Sequence, residues 1–265
     1  MNTSAKHDAW SAGDSYEQYM GRWSRQVAVK YLDWLNAPNN LDWIDVGSGA
    51  GALSAAILDQ CNPKSVHGIE QSEGFVTHAK STITDDRAEF SVGDAQNLII
   101  ETGSIDVVSS ALVLNFVPDK HAALTEMKRV AKPGGIVSFY VWDYPGISVG
   151  FMSAFWKAAA KLDDKAEDLK EGKRFPFCTP EGLTELCHKA GLKSVTVKAI
   201  DIECVFPTFD DFWHPFTLGA GPAPGYCMSL DEPHREALRG LLKETIGSKG
   251  EIVMPARAWA IKSEV

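Results

Sequence analysis

The 265-residue chain lacks any ordered cysteine arrangement: Cys61, Cys178, Cys187, Cys204 and Cys227 are odd in number and form no C-x-x-C pair. That excludes a disulfide framework and fits reduced thiols in a cytosolic setting. Cys187-His188 has no second cluster to complete a coordination shell, so no metal is expected. Long apolar runs are also missing. The stretch MNTSAKHDAWSAGDS has no signal-peptide core, and nothing later reaches the length of a membrane span, so a cytoplasmic chain without a membrane partner is expected. Positive charge is in deficit: 26 Lys and Arg against 35 Asp and Glu give a formal net charge of −9. A negative field opposes a phosphate backbone, so nucleic acid is not an expected partner and a small-molecule or peptide ligand is. The sequence leaves the oligomeric state open.

What is present is a soluble-type balance, 45% hydrophobic and 23% charged, in a length that suits one elaborated domain. Short β-branched runs (LDWIDV, SVHGIE, AEFSV, IDVVSSA and IVSFYVW) alternate with helical patterns, the signature of βαβ units and a parallel sheet. SRQVAVKYLDWLN reads as a helix with Val27, Tyr31, Trp34 and Leu35 on one face. Leu124, Met127 and Val130 mark another, stopped by Lys132-Pro133-Gly134-Gly135. Thr179-Pro180-Glu181 starts a third that Gly191 ends. KSVTVKAIDIEC and VMPARAWAIK read as late strands. Between them lie roughly fifty residues with no strand pattern, too many for plain loop and better read as a lid or substrate-binding insertion. Its aromatic first part precedes a helix from Asp231 that carries Leu238, Leu241, Leu242 and Ile246.

The stretch IDVGSGAGAL, after the first strand, supports two readings. Gly47, Gly49 and Ala52 satisfy the dinucleotide pattern G-x-G-x-x-G/A; Gly47, Gly49 and Gly51 make G-x-G-x-G behind Asp45. A carboxylate at Asp45 would repel a pyrophosphate crossing the turn, whereas S-adenosylmethionine presents an ammonium there, so the second reading is favoured. Glu70, ending the second strand, suits ribose hydroxyls in either case. Asp94, in Gly93-Asp94-Ala95, can accept from an adenine amino group while the next N–H donates to a ring nitrogen.

The set Asp45-Val-Gly47-Ser-Gly49-Ala-Gly51, Glu70, Gly93-Asp94-Ala95, IDVVSSALVLNFVPD and KRVAKPGG resembles the class I S-adenosylmethionine-dependent methyltransferases. It is most similar to the group that includes the ubiquinone and menaquinone C-methyltransferases. The specific motifs span roughly residues 14 to 143. The resemblance implies an α/β, Rossmann-like fold: a seven-stranded, mostly parallel sheet with an antiparallel last strand and helices on both faces, to which the strand-free stretch adds a helical lid insertion. It implies one domain over 1–265, with a helical cap at 1–40, a cofactor core at 41–143, helices and strand six at 144–202, the lid at 203–250 and the last strand at 251–265. It places the methionine moiety at Gly47, Ser48 and Gly49 near Asp45, with Gly51 completing the turn. The ribose falls on Glu70, and the adenine beside Gln71, Asp94 and Ala95. Ser110 and Ala111 would lie near the sulfonium. YEQYMGRWSR would close over the cofactor, with Tyr16, Tyr19, Met20 and Arg25 as candidates.

Methyl transfer is an in-line displacement, for which alignment and exclusion of water matter most. An acceptor pocket is expected where strands four and five end: Asn115, Phe116, Trp142, Phe151, Phe155, Trp156 and Trp213 would line it, suiting a flat or apolar acceptor. A general base would serve a hydroxyl or an acidic carbon. His214, among Phe212, Trp213 and Phe216, is the first candidate, with Asp211, Asp143 and Tyr144 behind it. Residues 203–250 match no segment of the quinone-methylating members, a departure that weighs against a quinone acceptor. A non-catalytic S-adenosylmethionine-binding protein and an NAD(P)-dependent oxidoreductase are the alternatives.

Overall fold

Every apolar run named above becomes a strand in the computed structural model, which describes residues 14–247 and 249–265. The strands are β1 (Asp42–Val46), β2 (Ser65–Glu70), β3 (Ala88–Val92), β4 (Ile105–Ala111), β5 (Ala131–Trp142), β6 (Lys193–Phe206) and β7 (Ile252–Glu264). They form one sheet in the order β3-β2-β1-β4-β5-β7-β6. β1 to β5 pair in parallel, and β7 runs antiparallel to β5, with Phe139 opposite Ile261. In β1, Trp43, Ile44, Asp45 and Val46 are all buried, as a central parallel strand covered on both faces requires. At the sheet edge β6 alternates instead, burying Ile200, Ile202, Cys204 and Phe206.

One boundary differs from expectation. The helix stops at Val130, but β5 begins at once with Ala131, and the register jumps from Ile105↔Ala131 to Val107↔Ile136. Lys132-Pro133-Gly134-Gly135 is thus a bulge inside a strand, with Gly134 at φ +77°. Turn residues end a helix without forbidding a ladder on either side of them.

Packing density divides the chain into two compact units. One holds Ser24–Trp142, Phe177–Ile200 and Ala258–Val265, and thus all of β1 to β5. In it α1 (Arg22–Leu35) buries Val27, Ala28, Tyr31, Leu32 and Leu35 at helical spacing, while Trp34 is only half-buried. Tyr31 packs on Tyr140 of β5 at 4.7 Å between ring centroids. The helices α2 (Ala52–Gln60), α3 (Glu73–Thr82), α4 (Lys120–Val130) and α6 (Pro180–Lys189) also belong to it. Side-chain oxygens cap three of them: Ser72 takes Phe75 N, Asp119 takes Ala122 N at 2.9 Å and Thr179 takes Gly182 N at 3.1 Å.

The other unit gathers the described part of Met1–Trp23, Asp143–Pro176 and Asp201–Arg257. It contains α5 (Gly150–Leu162), α7 (Pro222–Ser229) and α8 (Glu232–Ile246). An aromatic core holds it together. Phe155 stacks on Phe216 at 4.5 Å and 14°, and Tyr19 meets both Phe151 and Phe216 edge-on. Residues 203–250 start as the end of β6, then pass through short helices (Phe209–Trp213 and His214–Leu218) into α7 and α8. Leu238 and Leu242 are the buried residues of α8, with Leu241 and Ile246 half-buried. No helix among the described residues is long and apolar enough to cross a membrane.

Candidate functional site

Three left-handed glycines carry the chain from β1 to α2: Gly47 at φ +75°, Gly49 at +53° and Gly51 at +89°. A Cβ on Gly47 would meet Val113 Cγ1 at 2.5 Å, and one on Gly51 would run into Ile83. At Gly49 a Cβ would meet nothing within 4 Å, so this face of the turn is open. The N–H groups of Gly47 and Ser48 both donate to Ile69 O, at 2.7 and 3.1 Å. Glu70 fastens the turn from the next strand: Oε2 accepts from Gly49 N at 3.1 Å and Oε1 from Ser72 N at 2.9 Å. Each oxygen keeps a second lone pair, which a sugar diol can use.

Asp45, next to last in β1, is fully buried. Its Oδ2 accepts from Ser54 Oγ at 2.7 Å, while Oδ1 has no partner. Burial pushes the carboxyl up to about 7, against the Ser54 hydrogen bonds and with a smaller upward push from Glu70. Ser48 Oγ is buried and unpartnered as well. A buried acid with one unused oxygen calls for a cationic donor, and an ammonium supplies both the charge and the hydrogen bond. A pyrophosphate would add charge of the wrong sign.

The third acid is engaged differently from expectation. Asp94 is exposed, and its Oδ1 accepts from Gln96 N at 2.8 Å and Gln96 Nε2 at 3.0 Å. Gln96 Oε1 in turn accepts from Asp119 N at 3.0 Å, tying the loop after β3 to the cap of α4. The Gln96 bonds hold the Asp94 carboxyl below its ordinary value, so it stays an acceptor. Ala95 beside it is half-buried and Gln71 is exposed. At the end of β4, Ser110 is buried and Ala111 half-buried before a turn with Leu112 at φ +59°. Asn115 follows, 1% exposed, with neither amide atom partnered. Phe116 is half-buried, Trp142 is buried, and Arg25 lies exposed on α1.

The remaining candidates belong to the other unit. Tyr19, Phe155 and Trp213 are buried in its aromatic core. Burial, then Glu171 and Tyr144, raise the Tyr19 hydroxyl well above its ordinary value. His214 is a correction: its side chain is exposed, whereas Phe212, Trp213 and Phe216 are buried. His214 begins a short 3-10 helix (His214–Leu218) whose buried residues are Pro215 and Phe216, and its own side chain turns out to solvent, so the apolar setting that singled it out is absent. The other base candidates have structural partners. Asp211 pairs with Arg22 at 3.2 Å, and Asp143 accepts from Gly146 N and Ile147 N at 3.1 and 3.0 Å. Tyr144 is buried against Phe175. Ser54, Ser72 and Arg22 had escaped the sequence reading. Ser54 was the most findable, since it sits on the first turn of the helix opened by the glycine turn.

All five cysteines are free and buried, and no group of three or more His, Cys, Asp or Glu side chains among the described residues could hold a metal ion. Residues 44–139 match the family described as a methyltransferase domain. The chain is 30% identical over 211 residues to the demethylmenaquinone methyltransferase of Staphylococcus aureus, spanning 75% of this chain and 85% of that protein. Among solved structures, the YcgJ protein of Bacillus subtilis superposes with a TM-score of 0.57 at 14% identity, covering 92% of this chain and 98% of that one. Phosphoethanolamine N-methyltransferase 2 of Haemonchus contortus, in complex with S-adenosyl-L-methionine, gives a TM-score of 0.57 at 17% identity, covering 95% of this chain and 56% of that chain.

Proposed function

Because the chain belongs to the class I S-adenosylmethionine-dependent methyltransferases, we propose that it methylates a small aromatic or apolar acceptor and that the glycine turn with Asp45 and Glu70 holds the cofactor. S-adenosylmethionine is the cofactor of this enzyme. When bound, it supplies a methyl carbon activated by a sulfonium for in-line displacement. The residues present fit it, and the observation that carries the reading is the unpartnered, buried Oδ1 of Asp45.

In this reading Asp45 accepts from the cofactor ammonium, Gly47, Ser48 and Gly49 border its methionine part, and Gly51 lets the turn close. Glu70 holds the ribose and, through Gly49 N, fixes the turn at the same time. Gln71, Asp94 and Ala95 border the adenine. Ser110 and Ala111 border the reacting end. Asn115, Phe116 and Trp142, in the unit that carries the glycine turn, serve the acceptor. The aromatic core of residues around Phe155 and Phe216 supports a flat or apolar acceptor, as does the likeness to an enzyme named for demethylmenaquinone. The chain's work is to align two reactants and keep water out. With Asp143 and Asp211 held by structural partners and His214 exposed, no residue is assigned as general base.

Calorimetric titration with S-adenosylmethionine, S-adenosylhomocysteine, NAD and NADP tests the cofactor site. Saturable binding of the two sulfur nucleosides alone is expected, with thermal protection rising by mass action. Asp45→Asn is expected to weaken both ligands. An acceptor panel read by S-adenosylhomocysteine release tests the substrate class, and turnover confined to charged aliphatic acceptors would overturn it.

A further inference from the structure

The first two residues of α1 leave an uncommon set of groups unused. Arg22 donates from Nη1 to Asp211, at 3.2 Å to Oδ2 and 3.5 Å to Oδ1, longer than a well-formed charge-assisted bond. Its Nε and Nη2 are buried with no hydrogen-bond partner, and so is Nε1 of Trp23. The three groups share one place. The guanidinium carbon lies 4.4 Å from the Trp23 ring centroid and 4.8 Å from that of Phe206, and the two rings meet at 5.2 Å.

Every orphaned atom in this cluster is a donor, and the guanidinium adds a positive charge answered, among the described residues, by the long Asp211 pair and the two ring faces. A donor-only set with net positive character selects an anionic oxygen ligand, and a planar fork matches a carboxylate. The flanking faces of Trp23 and Phe206 favour a carboxylate borne by a ring. Arg22 retains 28% and Asp211 39% of side-chain exposure, so the pair that a ligand must displace is open to solvent. A five-residue π-helical turn, Glu17–Gly21, leads directly into Arg22, and such insertions recur where a helix presents side chains to a ligand.

We propose that Arg22 and Trp23 form an anion subsite for the carboxylate of an aromatic methyl acceptor, with Asp211 as the internal carboxylate that the ligand replaces. This rests on the methyltransferase reading and narrows its substrate class to aromatic acids.

Benzoate and benzamide, which differ in charge and not in ring, are the probes, read by calorimetry and thermal shift on the full chain. The wild-type protein is expected to bind benzoate saturably in the millimolar range and benzamide at least about tenfold more weakly. Arg22→Met removes that difference. Asp211→Asn frees Nη1 and tightens benzoate severalfold, a gain that a merely structural ion pair would not give. Titration of each variant with S-adenosylmethionine reports whether it is folded. Equal affinity for the two probes, no saturable benzoate binding, or loss of benzoate binding in Asp211→Asn overturns the proposal. Competition of S-adenosylmethionine with benzoate would assign the subsite to the cofactor carboxylate and overturn it too. If S-adenosylmethionine fails to bind the wild-type protein, the cofactor assignment falls while the benzoate comparison still reads the subsite.

Discussion

Asp45 spends stability that the cofactor would return. A carboxyl raised from 3.8 to about 7 holds its proton in the folded chain over a range where the unfolded chain has lost it. Its effect on stability is absent below pH 4 and grows unfavourable as pH rises toward 7, by at most about 4 kcal/mol. Asp45→Asn removes that slope. Denaturant melts without cofactor should show the variant gaining on the wild type from pH 4 to pH 7.5, and a constant difference would refute the buried charge. Cofactor affinity moves the other way, because the ammonium needs the ionised acid. Wild-type affinity for S-adenosylmethionine should fall as pH drops below 7, with proton release on binding near pH 6.5 visible in buffers of different ionisation enthalpy. At Glu70, removal takes away both the turn's anchor and the ribose acceptor. Glu70→Ala should weaken S-adenosylmethionine by about 1 to 3 kcal/mol, measured by titration. The acids of the site were legible as acids at the ends of strands. Their partners were not, because Gln96 reaching Asp94 and Gly49 N reaching Glu70 depend on side-chain and turn geometry that spacing does not encode. His214 shows the opposite error, since neighbours in sequence are not neighbours in space on a helix.

Among elements, the glycine turn separates folding from binding. Gly47→Ala places a methyl group against Val113 in a left-handed backbone and should destabilise the fold by a few kcal/mol. Gly49→Ala meets no protein atom, so its fold cost is limited to about 1 to 2 kcal/mol of backbone strain. The same methyl group projects into the open side of the turn and should reduce S-adenosylmethionine affinity at least about tenfold. Melting and titration of the two variants test the pair, and a Gly49→Ala protein that binds normally would place the cofactor elsewhere. The strands were legible because buried parallel strands are short β-branched runs, and one helix start because Thr179 is a capping residue in the right place; the caps at Ser72 and Asp119 emerge only from the structure. The short helices at Phe209–Trp213 and His214–Leu218 were not legible: too few turns carry a period, and Pro215 and Gly219 read as breakers.

For the molecule as a whole, the parallel sheet follows from the alternation of runs and the antiparallel seventh strand from the family resemblance, which is why the fold could be read before the site. The division into two compact units could not, since each is assembled from three separate stretches of chain. His214→Ala tests the aromatic-rich unit at its exposed point. Methylation rate and melting temperature should both stay near wild type, and a rate loss of tenfold or more would restore the histidine to the chemistry.

The order β5-β7-β6 also sets a timetable for synthesis. A ribosome that has delivered residues through 250 has released β5 and β6, yet β5 lacks its second neighbour and β6 its neighbour until Ile252–Glu264 emerges between them. Until then β5 offers a buried-type apolar strand with one bare edge, the kind of surface that recruits other chains. Nascent chains arrested before residue 252 should therefore be held by chaperones or cut by proteases, and thirteen further residues should make the same chain resistant.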